Sequence, residues 1–303
     1  MNNILTEHAV KPRKKQSLVP YMFVGPYMLL FLVFTVIPVA AAVVLSFTHF
    51  NVLSPPKFAG LTNYIRMFLD DDIFHIAVKN TLIIAFITGP IGYLICLFIA
   101  WLINDLKPFF RSLLTLLFYA PAISGAAFSV WNVILGGDQY GYLNNALIRL
   151  GLLNDPIVWL RDPKYILAVC IVVQLWMSLG TSFLAFIAGL QGIDKTLYEA
   201  GAMDGIKNRW QELWFITLPA MRPQLVFGAV MQITASFAVY QVCDALAGIP
   251  SVDYAAHTWI AHAQDVGAAR MEMGYASSIL TVLVFVAVAG NKFFQKLIGK
   301  VGE

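Results

Sequence analysis

Charged side chains are scarce in this chain. Asp, Glu, Lys and Arg make up 12% of its 303 residues, whereas hydrophobic residues make up 59%. A soluble domain usually carries about 25% charged residues, so the deficit excludes an ordinary soluble protein and predicts an integral membrane protein. The net charge is only +3, which gives no reason to expect nucleic acid as a partner.

The residues that would mark an enzyme or a metal site are also missing. The chain has no Gly-x-x-x-x-Gly-Lys-Ser/Thr sequence, so we expect no phosphate-binding loop for ATP. His257 and His262 are off the i,i+4 spacing that aligns two metal ligands, and Asp70-Asp-Asp72 is expected to be a solvated turn. We therefore predict no catalytic residue, no metal and no cofactor bound by this chain. The three cysteines are isolated in apolar segments and are predicted to be small buried hydrophobes: Cys96, Cys170 and Cys243.

What the chain does contain is long apolar stretches. Six stretches lack Asp, Glu, Lys and Arg over a length that could cross a bilayer. A spanning helix needs about 20 apolar residues, whereas a barrel strand needs about 10 alternating ones. The predicted fold is therefore all-α, a polytopic membrane protein with six transmembrane helices. The predicted spans are residues 21–48, 78–103, 112–135, 166–190, 223–247 and 273–292.

The basic residues predict which way the spans run. Six spans place both termini on one side, and that side holds 13 of the 20 Lys and Arg residues. Basic residues concentrate on the cytoplasmic side of a membrane. The N-terminal tail (1–20), the loop 191–222 and the C-terminal tail (294–303) are therefore expected in the cytoplasm, on either side of a membrane domain over 21–293.

The loop between the fourth and fifth spans carries the most specific motif. It contains Glu199-Ala-Gly-Ala-Met-Asp-Gly205, followed by Ile216-Thr-Leu-Pro219. Residues 196–203 favour a short helix, with Glu199 expected to pair or cap near its start, and Gly205 gives the backbone freedom to turn. A second helix, expected to end at Pro219, is predicted by apolar residues at helical spacing: Trp210, Leu213, Trp214 and Ile216.

This loop resembles the cytoplasmic loop of permease subunits in binding-protein-dependent ABC importers. The pattern of that family is Glu-Ala-Ala, two variable residues, Asp-Gly-Ala, then Ile-x-Leu-Pro. Here Gly201 replaces the second Ala, which is expected to loosen the helix slightly, and Ile206 replaces the last Ala. The resemblance implies a coupling helix that docks on a separate ABC ATPase dimer, where ATP and Mg would bind. The implied coupling residues are Glu199, Ala200, Gly201, Asp204 and Gly205.

The resemblance covers nearly the whole chain and is strongest to the sugar-uptake branch of that family, which includes maltose and glycerol-3-phosphate permeases. Gly60-Leu-Thr-Asn-Tyr64 in the first outer loop and the glycine-rich stretch 136–145 are both similar to that branch. The resemblance implies a bacterial inner-membrane protein surrounded by lipid and specific for a carbohydrate. It also implies a second homologous permease subunit, as one half of a heterodimer, and an extracytoplasmic solute-binding protein.

Polar side chains inside the fourth and fifth spans form two stripes at helical spacing. In a bilayer such side chains are costly and tend to face a cavity or the interior of the helix bundle. They could serve as a path or as glue between helices. The resemblance favours a path, because these positions match those that line the sugar site in maltose-type permeases. The implied pathway residues are Gln174, Met177, Ser178, Thr181, Ser236, Tyr240 and Cys243.

The spans also limit the substrate and the rival classes of protein. No Lys or Arg lies deep within a span, and Trp131, Trp176 and Tyr240 offer flat faces for sugar rings, which favours a neutral or weakly charged carbohydrate. Val239, on the same helix as Tyr240, is expected to face lipid. The alternative is an ion-coupled secondary transporter of a small polar solute, which would show buried ion-coupling carboxylates and broken midplane helices. A membrane-embedded enzyme would need a catalytic constellation that these spans lack.

Overall fold

The structure is a computed structural model that describes residues 19–125, 127–237 and 239–298. Most of the predicted N-terminal tail, residues 1–18, and the last five residues of the predicted C-terminal tail lie outside the described residues. The regular secondary structure of the described residues is almost entirely helical, so the all-α prediction is confirmed. An antiparallel pair of two-residue strands, Thr48–His49 and Lys57–Phe58, is the exception, and it closes the turn after the first span.

The membrane-crossing helices follow the predicted order. In the described part of the chain, five helical stretches are long and apolar enough to cross a membrane, and one bent helix pair makes a sixth. Apolar segments in lipid must satisfy their own backbone hydrogen bonds, which favours helices. The first span is Met22–Leu45, the second is Asp72–Asn104, and the third is the pair Pro108–Ile123 and Ala127–Ile134. The fourth span is Ile166–Gln191, the fifth is Arg222–Ala247, and the sixth is Met273–Lys292.

Shorter elements connect the spans. The first span consists of Val19–Phe31, a π turn Leu32–Val36 and Ile37–Leu45, and the sixth belongs to the helix Met273–Ile298. The end of the bundle that carries the 191–222 loop, here called the loop end, has Lys195–Met203, Arg209–Glu212, Leu213–Thr217 and Leu218–Ala220. The opposite end has Thr62–Leu69, Tyr142–Arg149, Val252–Tyr254, Trp259–Gln264 and Asp265–Ala269.

Three spans are interrupted. The third span bends by 84° between Ile123 and Ala127. The fourth consists of Ile166–Met177 and Thr181–Gln191, and the fifth of Arg222–Phe237 and Tyr240–Ala247. The breaks of the third and fourth spans are adjacent. A Cβ at Gly180 would lie 3.6 Å from the Cβ of Ala122. These breaks were not predicted from the sequence.

The second, fourth and fifth spans pack together at the centre of the bundle, and the sixth packs on the fifth. Near the loop end, their core includes Cys96, Phe183, Phe186 and Met221. All three cysteines are buried and free, as predicted. The first span is different, since none of the described residues in its most apolar window is buried against the rest of the chain.

Candidate coupling and transport sites

The loop between the fourth and fifth spans forms a short helix, Lys195–Met203, here called the loop helix. Asp194 caps this helix, whereas the sequence predicted that Glu199 would cap or pair near its start. The Asp194 carboxylate accepts a hydrogen bond from the backbone N–H of Thr196 at 3.0 Å, and this bond holds the pKa of Asp194 below its ordinary value. Glu199 lies exposed within the helix.

Two positions of the loop motif require glycine, each for a different structural reason. Gly205 follows the loop helix with a φ of +96°, a region that favours glycine, as the sequence predicts. Gly201 is buried where the loop helix meets the next segment. A Cβ at Gly201 would lie 2.6 Å from Cδ1 of Ile216 and 3.0 Å from Cδ1 of Ile206. Gly201 therefore permits a close approach, which the sequence analysis missed.

The second helix of the loop is irregular and runs further than predicted. Arg209–Glu212 continues into the π turn Leu213–Thr217, and Pro219 does not end the helix. Pro219 lies within this continuous helical run, in the segment Leu218–Ala220. The helical conformation ends at Met221, which has a φ of −101° and a ψ of 20°.

Apolar side chains are exposed on the loop helix among charged ones. Met203 is 89% exposed and Leu197 is 47% exposed. Lys195, Glu199 and Asp204 lie exposed on the same helix. Large apolar side chains on a charged, water-facing surface are typical of a site that binds another protein.

The predicted pathway residues lie at the breaks of the fourth and fifth spans. Met177 ends one helix, Ser178 lies in the break and Thr181 begins the next helix. Ser236 precedes the break of the fifth span, and Tyr240 begins the helix after it. Irregular backbone inside a span is tolerated where protein buries it or where it lines a cavity.

The structure divides the pathway residues into two groups. Gln174, Ser178, Ser236 and Cys243 are buried within the chain, whereas Met177 and Tyr240 are half-buried and Thr181 is exposed. Two of the buried hydroxyls are satisfied locally. Ser178 Oγ donates to the Leu175 carbonyl at 2.6 Å, and Ser236 Oγ donates to the Ile233 carbonyl at 2.8 Å.

Close packing of the second span explains part of this burial. Ser178 and Gln232 both lie against Gly92, and Gln232 Nε2 donates to the Thr88 carbonyl at 3.3 Å. These polar groups therefore join the second span to the fourth and fifth. Ser178 and Gln232 therefore serve as contacts between helices, and a path along the more exposed residues stays a prediction.

The aromatic residues near the breaks are brought together. The Trp131 and Trp176 rings meet edge to face with centroids 5.6 Å apart. The Trp131 indole N–H has no hydrogen-bond partner within the described residues. A buried N–H without a partner is a donor available to a ligand that reaches it.

The expectation that Val239 faces lipid is wrong. Its side chain is 2% exposed and packs in a core cluster with Ile84 and Val173. Val239 lies three residues after Ser236 and four before Cys243, which are both buried. It therefore shares their inward face of the fifth span.

A polar cluster at the opposite end of the bundle was missed by the sequence analysis. Asp71 caps the second span by accepting a hydrogen bond from the Phe74 N–H at 2.9 Å. Its other oxygen accepts from the Tyr275 hydroxyl at 2.6 Å and lies 3.0 Å from Nε2 of His262. Burial raises the pKa of Asp71, but the hydrogen bonds outweigh burial and hold it well below its ordinary value. The expectation of a solvated acidic turn is therefore wrong for Asp71.

His257 lies beside this cluster. Its ring centroid is 5.6 Å from that of His262, and neither of its ring nitrogens has a hydrogen-bond partner in the described structure. Burial, together with the neighbouring His262, lowers the pKa of His257 to about 4. No group of three or more His, Cys, Asp or Glu residues in the described ranges is arranged to hold a metal ion.

Comparison with known proteins decides the family. The chain is 34% identical over 230 residues to the probable ABC transporter permease protein YesP of Bacillus subtilis (strain 168), a match that covers 75% of this chain and 72% of that protein. This chain belongs to the ABC transporter permease proteins. The permease is also 30% identical over 227 residues to the lactose transport system permease protein LacF of Rhizobium radiobacter, which covers 74% and 73% of the two chains. No protein-family model matches the permease.

A solved structure shows the same fold. With a TM-score of 0.77 and 20% identity, the permease matches a chain in the crystal structure of a bacterial alginate ABC transporter in complex with an alginate pentasaccharide-bound periplasmic protein. The match covers 93% of this chain and 94% of that chain. The predicted resemblance to ABC permeases is confirmed, and the chain is a multi-pass membrane protein. Broken spans, which we associated with secondary transporters, therefore occur here in an ABC permease.

Proposed function

We propose that the permease forms the membrane path for carbohydrate uptake by a bacterial ABC importer. The observation that carries this proposal is the chemistry at the three breaks. Residues 118–135, 170–185 and 230–243 contain hydroxyl, amide and aromatic side chains but no Asp, Glu, Lys or Arg. Such a region suits a neutral ligand with many hydroxyl groups. The lactose transport permease among the relatives supports the same class of substrate.

Within this path, the exposed and half-buried residues contact the carbohydrate. Thr181, Met177 and Tyr240 present free surface beside the breaks. Gln174, Ser178, Ser236 and Cys243 lie behind them and set the shape of the path, since their side chains are buried in helix contacts. The indole N–H of Trp131 supplies a donor when the path opens.

On the loop end, the loop helix docks on an ABC ATPase dimer, which binds ATP and Mg. The exposed Met203 and Leu197 side chains support this role, because apolar side chains that project from a short charged helix can insert into a cleft of a partner protein. The loop end and both termini then face the cytoplasm, and the opposite end receives the extracytoplasmic solute-binding protein. A second, homologous permease completes the path as a heterodimer. The first span packs on the sixth along Ile37–Leu45, but none of its described residues in the most apolar window is buried, so it leaves a long apolar surface for that subunit and for lipid.

Reconstitution tests this proposal. The tagged permease is purified with the products of its neighbouring genes and placed in proteoliposomes with the cognate binding protein. We expect an ATPase and a second permease in the complex, and ATP-dependent uptake of neutral saccharides but not of amino acids. A catalytically inactive ATPase subunit serves as the control. Uptake driven by an ion gradient, without any ATPase, would contradict the proposal.

A further inference from the structure

A cluster of side chains joins the loop to the loop end of the second span. We call it the clasp, and it consists of Arg209, Trp210, Trp101, Asp105 and Phe98. The guanidinium of Arg209 lies 4.6 Å from the ring centroid of Trp101 and 2.6 Å from the Asp105 carboxylate. Arg209 also donates to the Trp101 carbonyl at 3.4 Å. The Trp210 ring packs 5.0 Å from that of Trp101 and 6.4 Å from that of Phe98.

The clasp fixes a geometry more than it adds stability. The side chains of Arg209 and Asp105 are 45% and 56% exposed, and an exposed ion pair contributes little by itself. The planar guanidinium, however, stacks on the buried ring of Trp101 while its N–H groups reach the carboxylate and the carbonyl. Lysine cannot make this combination of contacts, because it lacks the planar fork.

On its other side, the segment that carries Arg209 is attached to the loop helix. Gly201 allows the loop helix to approach Ile216 closely. The Tyr198 hydroxyl and Thr217 Oγ1 lie 3.0 Å apart, within hydrogen-bond distance. The loop helix is therefore in direct contact with the segment 209–217.

The second span, in turn, reaches the breaks. It is one continuous helix from Asp72 to Asn104, with Trp101 near one end. Gly92, in the same helix, contacts Ser178 in the break of the fourth span and Gln232 in the fifth. The second span therefore connects Trp101 to the breaks where the substrate path is proposed to lie.

We infer that Arg209 is a positioning residue for transport: through Trp101 and Asp105 it passes the displacement of the loop helix to the second span. This route runs parallel to the covalent route through Pro219 into the fifth span. The inference rests on the proposed function, because it requires an ATPase that moves the loop helix. It adds the second span as the element that receives the motion.

The test measures ATP hydrolysed per saccharide transported in proteoliposomes that contain the whole complex. Arg209→Ala is expected to raise this ratio roughly threefold to tenfold, while the ATPase stays bound. Arg209→Lys should lie between Arg209→Ala and the wild type. Lys207→Ala, which removes an exposed positive charge from the same loop, is the matched control and should leave the ratio unchanged.

A double-mutant cycle with Asp105→Asn completes the test. If the clasp acts as a unit, Asp105→Asn raises the ratio in the wild type but adds little in Arg209→Ala. Equal ratios for Arg209→Ala and Lys207→Ala, or strictly additive effects, would overturn the inference. So would loss of the ATPase from Arg209→Ala, since Arg209 would then act in docking. Absence of any ATPase from the wild-type complex would instead refute the proposed function. Arg209→Lys and Asp105→Asn keep the test decisive if Arg209→Ala does not fold.

Discussion

Gly201 and Ile206, the two positions where the loop departs from the family pattern, are in contact. A Cβ at Gly201 would lie 3.0 Å from Cδ1 of Ile206 and 2.6 Å from Cδ1 of Ile216. The smaller residue at one position therefore makes room for the larger residue at the other. The two changes act as one compensated pair in the packing of the loop helix.

The first prediction follows from this pair. Gly201→Ala should lower the thermal stability of the complex, because overpacking costs about 1–3 kcal/mol and exceeds the ~1 kcal/mol of helix propensity that Ala gains over Gly. The double variant with Gly201→Ala and Ile206→Ala should recover wild-type stability. Truncation of the Ile206 side chain leaves space into which Ile216 can move. Differential scanning calorimetry of the purified complex measures the melting temperature of both variants. A single variant as stable as the wild type would show that the contact is not tight.

The second prediction concerns Gly205. Gly205→Val should release the ATPase or uncouple hydrolysis from transport, because a β-branched residue disfavours a φ of +96°. Gly205→Asn should be milder, since Asn tolerates positive φ better. Co-purification and uptake assays report the outcome, with insertion into the membrane unchanged. Gly151→Val is the matched control. Gly151 has a φ of +69° at the opposite end of the bundle, so the same strain there should leave the ATPase bound.

The third prediction concerns the path. Tyr240→Ala should raise the KM for saccharide uptake several-fold, or change which saccharide is carried, because it removes an aromatic face and a hydroxyl worth about 0.5–1.5 kcal/mol in a hydrogen bond. ATP hydrolysis by the resting complex should stay near the wild-type rate. Uptake of a labelled saccharide panel measures the change.

Its control is Phe227→Ala, which removes an exposed aromatic ring from the same span. Val239→Ala would be unsuitable, because Val239 is buried in the core and its truncation would lower stability. Equal uptake by the Tyr240 and Phe227 variants would place the substrate path elsewhere.

The fourth prediction concerns pH. His257 has its pKa lowered from 6.5 to about 4. Between these values the unfolded chain binds a proton that the folded chain does not, so stability should fall as pH drops from 6.5 towards 4. The pKa of Asp71 is lower in the folded chain than in the unfolded chain. Asp71 therefore stabilises the fold at any pH above its unfolded pKa, and this stability should be lost only in stronger acid.

His257→Phe should therefore show a smaller decrease in melting temperature between pH 7 and pH 5 than the wild type does. His49→Phe, at an exposed histidine, is the control and should keep the wild-type decrease. Parallel curves for the wild type and His257→Phe would show that His257 is not the group responsible.

Much of the fold could be predicted because hydropathy is a one-dimensional property of the sequence. The spans, the loop helix and the need for glycine at position 205 all depend on residues close together in the chain. The break at Ser178–Gly180 could not be predicted in the same way. A single glycine inside an apolar run is compatible with a continuous helix, and contacts with Ala122 on another span accompany the break.

The errors have different causes. Val239 was placed facing lipid, although its helical spacing from Ser236 and Cys243 puts it on their buried face. Asp71 was placed by its acidic neighbours, whereas its partners, His262 and Tyr275, lie 191 and 204 residues further along the chain. The clasp of Arg209 and Trp101 was missed for the same reason.

The interrupted spans have a consequence for recognition that side chains do not reveal. Each helix end leaves backbone carbonyl or N–H groups without helical partners. Three interruptions therefore place main-chain dipoles where the solute path is proposed to lie, and no substitution at Ser236 or Thr181 removes them. Specificity built partly from the main chain tolerates the exchange of individual side chains. A permease of this shape can thus change its preferred saccharide while keeping the polar character of its path.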